Sequence, residues 1–141
     1  MKYSIPIQML TVDQEGYHLM VSGNLNDYKI NLLIDTGATL SVFDINRIRK
    51  IYPGKNIQAY NKFFMGIGSD SVETYSTVID QINFGDYCIE DKMVVLIDLA
   101  SINKAYAAFD LPRIDGVIGG DILKKHKAVI NYVDETLELQ Y

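Results

Sequence analysis

The chain has 141 residues, 48% of them hydrophobic and 22% charged, which fits one compact domain with its own core and excludes a disordered or collagen-like chain. Its net charge of -5 argues against a nucleic-acid surface as its main business, since phosphate binding needs clustered Lys and Arg. No apolar stretch reaches the length needed to span a bilayer.

Taken in chain order, most of the sequence alternates with the period of two expected of strands. In MKYSIPIQML and the residue after it, Tyr3, Ile5, Ile7, Met9 and Thr11 share one face, which reads as a strand and not as a signal peptide. Cys88 is the single cysteine, so no intrachain disulfide can form. Together these point to a cytoplasmic chain, or to a periplasmic or extracytoplasmic one if a leader segment was removed. Tyr17, Leu19 and Val21 mark a second strand, and NLND, Asn24 to Asp27, turns into a third over Tyr28–Ile34. Asp44 caps a short helix carrying Ile45, Ile48 and Ile51, which Pro53 and Gly54 stop.

Later strands lie in SVETYSTVIDQINF, YCIEDKMVVLID, AVINYV and TLELQY, rich in the Val, Ile, Thr and Tyr that suit a sheet. Asp98 caps a second helix, LASINKAYAAF, with Leu99, Ile102, Ala105 and Phe109 at helical spacing. A third helix begins after Gly120, contains Ile122 and Leu123, and ends in KKHK, Lys124 to Lys127, where cations complement the negative end of the helix dipole. There is no internal repeat, linker or low-complexity segment, so residues 1–141 read as one mainly β domain.

Three segments carry chemistry. In LLIDTGATLSVF, Leu32 to Phe43, a strand runs into Asp35, Thr36 and Gly37, and the glycine permits a tight reversal. An acid at the end of an apolar run is costly if buried and unpaired, so it either caps a turn or serves a site. FFMGIGSDS, Phe63 to Ser71, is a glycine-bearing hairpin tip. IDGVIGGDILKKH sets two aliphatic residues before Gly119 and a short helix after it. In this order the three resemble the retropepsin-like aspartic proteases, whose pattern is a strand ending in Asp-Thr-Gly-Ala, a glycine-rich flap, and an aliphatic pair followed by Gly and a helix. The resemblance runs from about Leu32 to Tyr132 and lies nearer to cellular and bacterial members, such as the protease domain of the DNA-damage-inducible ubiquitin receptors, than to viral enzymes. Viral members typically pair an acid after Asp-Thr-Gly-Ala with an arginine after the second motif's glycine. Here those positions are Thr39 and Gly120, so both halves are missing together.

The resemblance implies a closed, mainly β acid-protease (retropepsin-like) barrel with short helices. It also implies an aspartic endopeptidase that cleaves peptide bonds in extended substrates with neither cofactor nor metal. Such hydrolysis needs one group to take a proton from water and another to give one to the carbonyl oxygen. Two adjoining carboxylates that share a proton do both. The chain has one Asp-Thr-Gly, and the aspartates in GSDSV, VIDQI, FGDYC and YVDET do not repeat its setting. The resemblance therefore implies a homodimer with Asp35 of each subunit facing its copy. It gives Thr36 the bracing of the two loops and Gly37 a carbonyl free for the substrate backbone. Met65, Gly66, Ile67 and Gly68 become the flap tip, and Leu33, Val42, Ile67 and Val117 the walls of apolar side-chain pockets.

Plainer readings stand beside these. Asp35 can be a turn-capping carboxylate, MGIGS an ordinary hairpin, and the helix from Asp98 to Phe109 surface packing, a dimer aid or a rim of the cleft. His126 reads as a helix-end cation or a packed side chain. Gly119 and Gly120 lack the Lys-Ser or Lys-Thr of a phosphate cradle, and Asp121 would repel the anion. His18, His126 and Cys88 show no zinc-ligand spacing, and no Ser or Cys nucleophile motif with a partnered His appears. The rival function is a non-catalytic peptide-binding module with the same fold.

Overall fold

The computed structural model of the protein describes residues 1–12, 14–61 and 73–141. Its elements are β1 (Tyr3–Pro6), β2 (Gln8–Leu10), β3 (His18–Leu25), β4 (Tyr28–Ile34), β5 (Val42–Asp44), α1 (Ile45–Ile51), β6 (Gln58–Ala59), β7 (Tyr75–Phe84), β8 (Tyr87–Ile97), α2 (Ala100–Ala108), β9 (Gly116–Ile118), α3 (Gly120–Lys125), β10 (Val129–Asn131) and β11 (Thr136–Leu139). Among the described residues, no helix is long and apolar enough to cross a membrane.

Six strands close a barrel. The order β3, β4, β9, β5, β8, β7 returns to β3 where Asn24 pairs with Asn83, while β2 and β6 attach to β3 and β7. Strands β1, β11 and β10 form a separate antiparallel sheet. Alternate residues of the barrel strands turn inward as the strand period requires, and Leu25, Ile30, Ile79, Ile82, Val94, Leu96 and Ile118 are fully buried. Each such side chain contributes roughly 1.5–3 kcal/mol. The β3–β4 hairpin turns at Asn26, whose left-handed backbone suits a side chain that can hydrogen-bond locally. Helix α1 starts where expected: Asp44 Oδ1 accepts from Asn46 N at 3.3 Å, and Ile45, Ile48 and Ile51 are buried. Gly54, at φ +82, turns the chain beyond it.

The sequence reading needs correction at two places. The first strand is two: β1 pairs with β11, β2 with β3, and the chain changes sheets at Ile7. Pro6 has no N–H to extend the first ladder, whereas Ile7 N donates to Glu135 O at 2.9 Å. Tyr17 precedes β3 and is exposed, and Leu19 and Val21 begin the buried face without it. Helix α2 has the expected spacing, but no residue within it is buried, and Ile102 and Phe109 are exposed. Apolar spacing gives a helix one face; it does not say what covers that face. Asn103 fastens α2 instead, accepting from Ile114 N at 2.8 Å and donating to Ile114 O at 3.0 Å.

Of the two readings of His126, the structure shows the packed side chain: it is buried, with Nδ1 2.5 Å from the hydroxyl of the fully buried Tyr87. Tyr141 stacks on Tyr87 at 4.3 Å, Tyr3 meets the same ring edge-on at 5.1 Å, and Cys88 N donates to the Tyr141 hydroxyl at 3.0 Å. Both ends of the chain are thereby packed on β8. Burial, with the charges of Tyr141 and Tyr3, pushes the Tyr87 phenol up to about 12. Burial and then the Lys125 and Lys92 ammonium groups hold His126 below its ordinary 6.5. The unfolded chain therefore binds a proton here that the folded chain refuses, so this stability is complete above about 6.5 and is lost as pH falls toward the depressed folded value. Thermal unfolding should show the wild type melting lower as pH drops past about 6.5. His126→Asn should show a flatter profile over that interval, and equal slopes for the two would contradict the assignment.

Candidate active site

Asp35 leaves the barrel at the end of β4. Leu32, Leu33 and Ile34 pair in parallel with Gly116, Val117 and Ile118 of β9, and Asp35 N donates to Ile118 O at 3.0 Å, one bond beyond the ladder. β9 fits between β4 and β5 because residue 116 is glycine: a Cβ there would meet Val42 O at 2.5 Å. After Asp35 the chain turns sharply. Gly37 N donates to Asp35 Oδ1 at 2.9 Å, and Ala38 N to Asp35 O at 3.1 Å.

The carboxylate thus performs the turn-capping role, and it is also exposed. Asp35, Thr36 and Gly37 all face solvent in the protomer. The cost of a buried, unpaired acid does not arise in the protomer, because the apolar run ends at the half-buried Ile34 and the acid stands just outside it.

The turn is locked from behind by α3. Gly120 N donates to Ala38 O at 2.7 Å and Asp121 N to Thr39 O at 3.2 Å. Ser41, fully buried, donates from Oγ to Asp121 Oδ1 at 2.7 Å and accepts from Gly119 N at 2.9 Å. Ser41 N and Ile122 N also donate to that carboxylate oxygen, at 3.0 and 2.9 Å. Lys92 Nζ, from β8, lies 2.9 Å from Asp121 Oδ2. Burial alone would raise the Asp121 carboxyl, but the Lys92 and Ser41 contacts outweigh it and hold the group below its ordinary value. Asp121 is therefore an anion that organises the loop from inside.

Sequence reasoning missed Ser41, Asp121 and Lys92 in this role. Where a viral-type ion pair is missing at Thr39 and Gly120, the two segments are tied by the neighbouring backbone bonds instead, Gly120 N to Ala38 O and Asp121 N to Thr39 O. The one signal in the sequence was that double absence, which asks what else could tie the segments together.

The exposed face of the turn opens into a cleft of about 390 Å3, where Leu33, Val117, Asp35, Thr36, His18 and Tyr132 come together. Leu33 and Val117 line this cleft beside Asp35. Val42 does not line this cleft: it is buried in a second apolar cluster with Val95, Ile97 and Leu99. Met65, Gly66, Ile67 and Gly68 lie outside the described residues. Tyr106 of α2 sits 5.9 Å from the His18 ring, so α2 borders the cleft. Among the described residues, no three His, Cys, Asp or Glu side chains converge as a metal site requires. Among the described residues Asp35 is the one carboxylate lining the protomer's cleft, where a proton shared between carboxylates needs two.

A sequence model of a family described as aspartyl protease matches residues 21–122. Solved structures share the fold. The retroviral protease-like domain of Ddi1 from Leishmania major has a TM-score of 0.60 at 17% identity, over 86% of this chain and 87% of that one. A retropepsin-like aspartic protease from Rickettsia conorii has a TM-score of 0.60 at 14% identity, over 100% and 94%. EIAV protease, complexed with the inhibitor HBY-793, has a TM-score of 0.58 at 23% identity, over 86% and 99%. No curated protein matches the chain.

The lock on the turn depends on backbone contact at Gly119, where a Cβ would meet Leu40 and Ala38 backbone atoms at 2.8–2.9 Å, while at Gly120 the nearest atom is 3.5 Å away. Gly119→Ala is therefore expected to cost about 1–3 kcal/mol in denaturant unfolding, as overpacking does, and Gly120→Ala to be tolerated. Equal effects would show that close approach is not what holds the loop.

Proposed function

We propose that two copies of this chain form one peptide-cleaving site. The chain belongs to the aspartyl protease family and has the retropepsin-like fold. The observation that carries the proposal is the exposed Asp35, presented by a rigid turn in a chain with a single Asp-Thr-Gly. In the dimer, Asp35 of one protomer faces Asp35 of its partner across a two-fold axis. Two carboxylates at close range share one proton, because both cannot ionise together. One takes a proton from water as the oxygen attacks the peptide carbonyl carbon, and the other gives its proton to the carbonyl oxygen. The resulting diol then breaks at the C–N bond: the carboxyl that took the water proton gives it to the departing nitrogen, and the other carboxylate takes a proton back from one of the diol hydroxyls, which restores the shared-proton pair.

Thr36 braces the two turns, the Gly37 carbonyl takes a substrate N–H, and Leu33 and Val117 receive apolar side chains on either side of the cleaved bond. The terminal sheet supports the dimer. It is completed within the protomer by β1, β11 and β10, and among the described residues β10 pairs only with β11. Val129, Tyr132 and Val133 are exposed on and beyond that edge, and Tyr132 also lines the cleft. A partner meeting β10 would cover this apolar strip and bring a second cleft beside the first.

Cleavage of a mixed peptide library by wild type and Asp35→Asn, each with its mass measured by sedimentation, tests the proposal. The wild type should be a dimer that cuts beside apolar residues, and Asp35→Asn a dimer of unchanged stability with cleavage reduced by at least about 10³-fold. A wild-type dimer that binds peptides and leaves them whole would replace the endopeptidase by a peptide-holding module.

A further inference from the structure

The cations are unevenly spread. Between Asp44 and Asp70 there is no acid, while Arg47, Arg49, Lys50, Lys55 and Lys62 give residues 45–69 a charge of +5. Since the whole chain carries -5, the remaining residues carry -10. A basic segment in an acidic body concentrates anionic partners at one place.

The fold sorts these cations. Arg47 is drawn to the buried Asp115 at 3.3 Å and lies over the Tyr28 ring. Arg49 and Lys55 instead line, with Tyr52, Ile57 and Tyr75, a concavity of about 450 Å3 that shares no residue with the Asp35 cleft. The Lys55 ammonium stands 5.0 Å from the centre of the Tyr52 ring. Two acids lie nearby and both act on phenols: Glu73 accepts from the Tyr75 hydroxyl at 3.0 Å, and the Asp80 charge reaches Tyr52. The ion pairs among the described residues include neither Arg49 nor Lys55.

Shape and chemistry select the ligand. The concavity is larger than a bare anion needs, and its floor is aromatic and aliphatic, so it suits an anionic group attached to an apolar one. Ile57 leads directly into β6, which among the described residues pairs only with β7 and whose Gln58 and Ala59 are exposed. That edge offers backbone groups to an extended polypeptide. A nucleic acid cannot use the edge in this way, and the -10 on the rest of the chain opposes it.

We infer that the concavity between Arg49 and Lys55 is an exosite that binds an acidic, partly apolar segment of the substrate polypeptide, outside the cleft. Its assignment to the substrate rests on the endopeptidase reading; its affinity for an acidic peptide does not.

The first arm of the test measures binding to the full-length Asp35→Asn chain by fluorescence anisotropy. The probe is a fluorescein-labelled peptide alternating Glu with Val and Phe, with a twin carrying Gln for Glu. The Glu peptide should bind about tenfold more tightly than its twin, and a double Arg49→Glu, Lys55→Glu variant should lose about that factor. Lys124→Glu with Lys125→Glu, on another surface, should change little. If thermal unfolding shows that the reversed pair does not fold, Arg49→Gln with Lys55→Gln takes its place. Equal loss from both charge reversals would overturn the exosite, and tighter binding of single-stranded DNA would overturn the peptide assignment.

The second arm joins the acidic segment to a peptide that the wild type cleaves. KM should fall about tenfold with kcat unchanged, and the gain should vanish in the double variant. An unchanged KM with binding intact would overturn the assignment to the substrate. A chain that cleaves nothing would defeat the endopeptidase reading instead, leaving the binding arm to decide the exosite.

Discussion

The site depends on backbones approaching more closely than side chains permit. β9 lies between β4 and β5 because Gly116 brings no Cβ, and the 38–40 segment rests on Gly119 for the same reason. These contacts place the Asp35 turn against the start of α3. The bonds Gly120 N to Ala38 O and Asp121 N to Thr39 O then fix it. A proton-transfer group has to be held to a fraction of an ångström, and here the holding is done by main chain on both sides.

Charge secures what close approach begins. Hydrogen bonds to an ionised group are worth about 1.5–3 kcal/mol, against roughly 0.5–1.5 for neutral pairs. Asp121 Oδ1 accepts from Ser41 Oγ, Ser41 N and Ile122 N, while Oδ2 meets Lys92. The two carboxylates of the site are thus divided in labour: Asp121, enclosed and paired, shapes the loop, and Asp35, exposed, is left for chemistry. The same logic places Asp115, which takes Arg47, Arg113 and Asn31 N and so ties α1 to β4 just behind the cleft.

Local signals were legible in the sequence where short-range physics decides. The hairpin at Asn26, the Asp44 cap, the three isoleucines of α1 and the short α3 all emerge at the expected residues. The Asp-Thr-Gly turn and its partner near Gly119 were legible as motifs, and their register across β4 and β9 brings them together. What escaped was set by distance in sequence. Ser41 and Asp121 are 80 positions apart and become neighbours only once β9 is inserted. Val42 looked like a pocket wall by its place beside the motif, yet its side chain turns to Val95 and Leu99. The apolar positions of α2 were legible as a face, but not what covers it, because nothing local states what a helix packs against.

The central claim is that one working site takes its two carboxylates from two chains. The most direct test mixes wild-type and Asp35→Asn protomers in varying ratio at constant total concentration, with time for subunit exchange, and follows cleavage. If each site needs Asp35 from both protomers, activity falls as the square of the wild-type fraction. Activity that falls in simple proportion to that fraction would mean that each chain works alone, and would contradict the account.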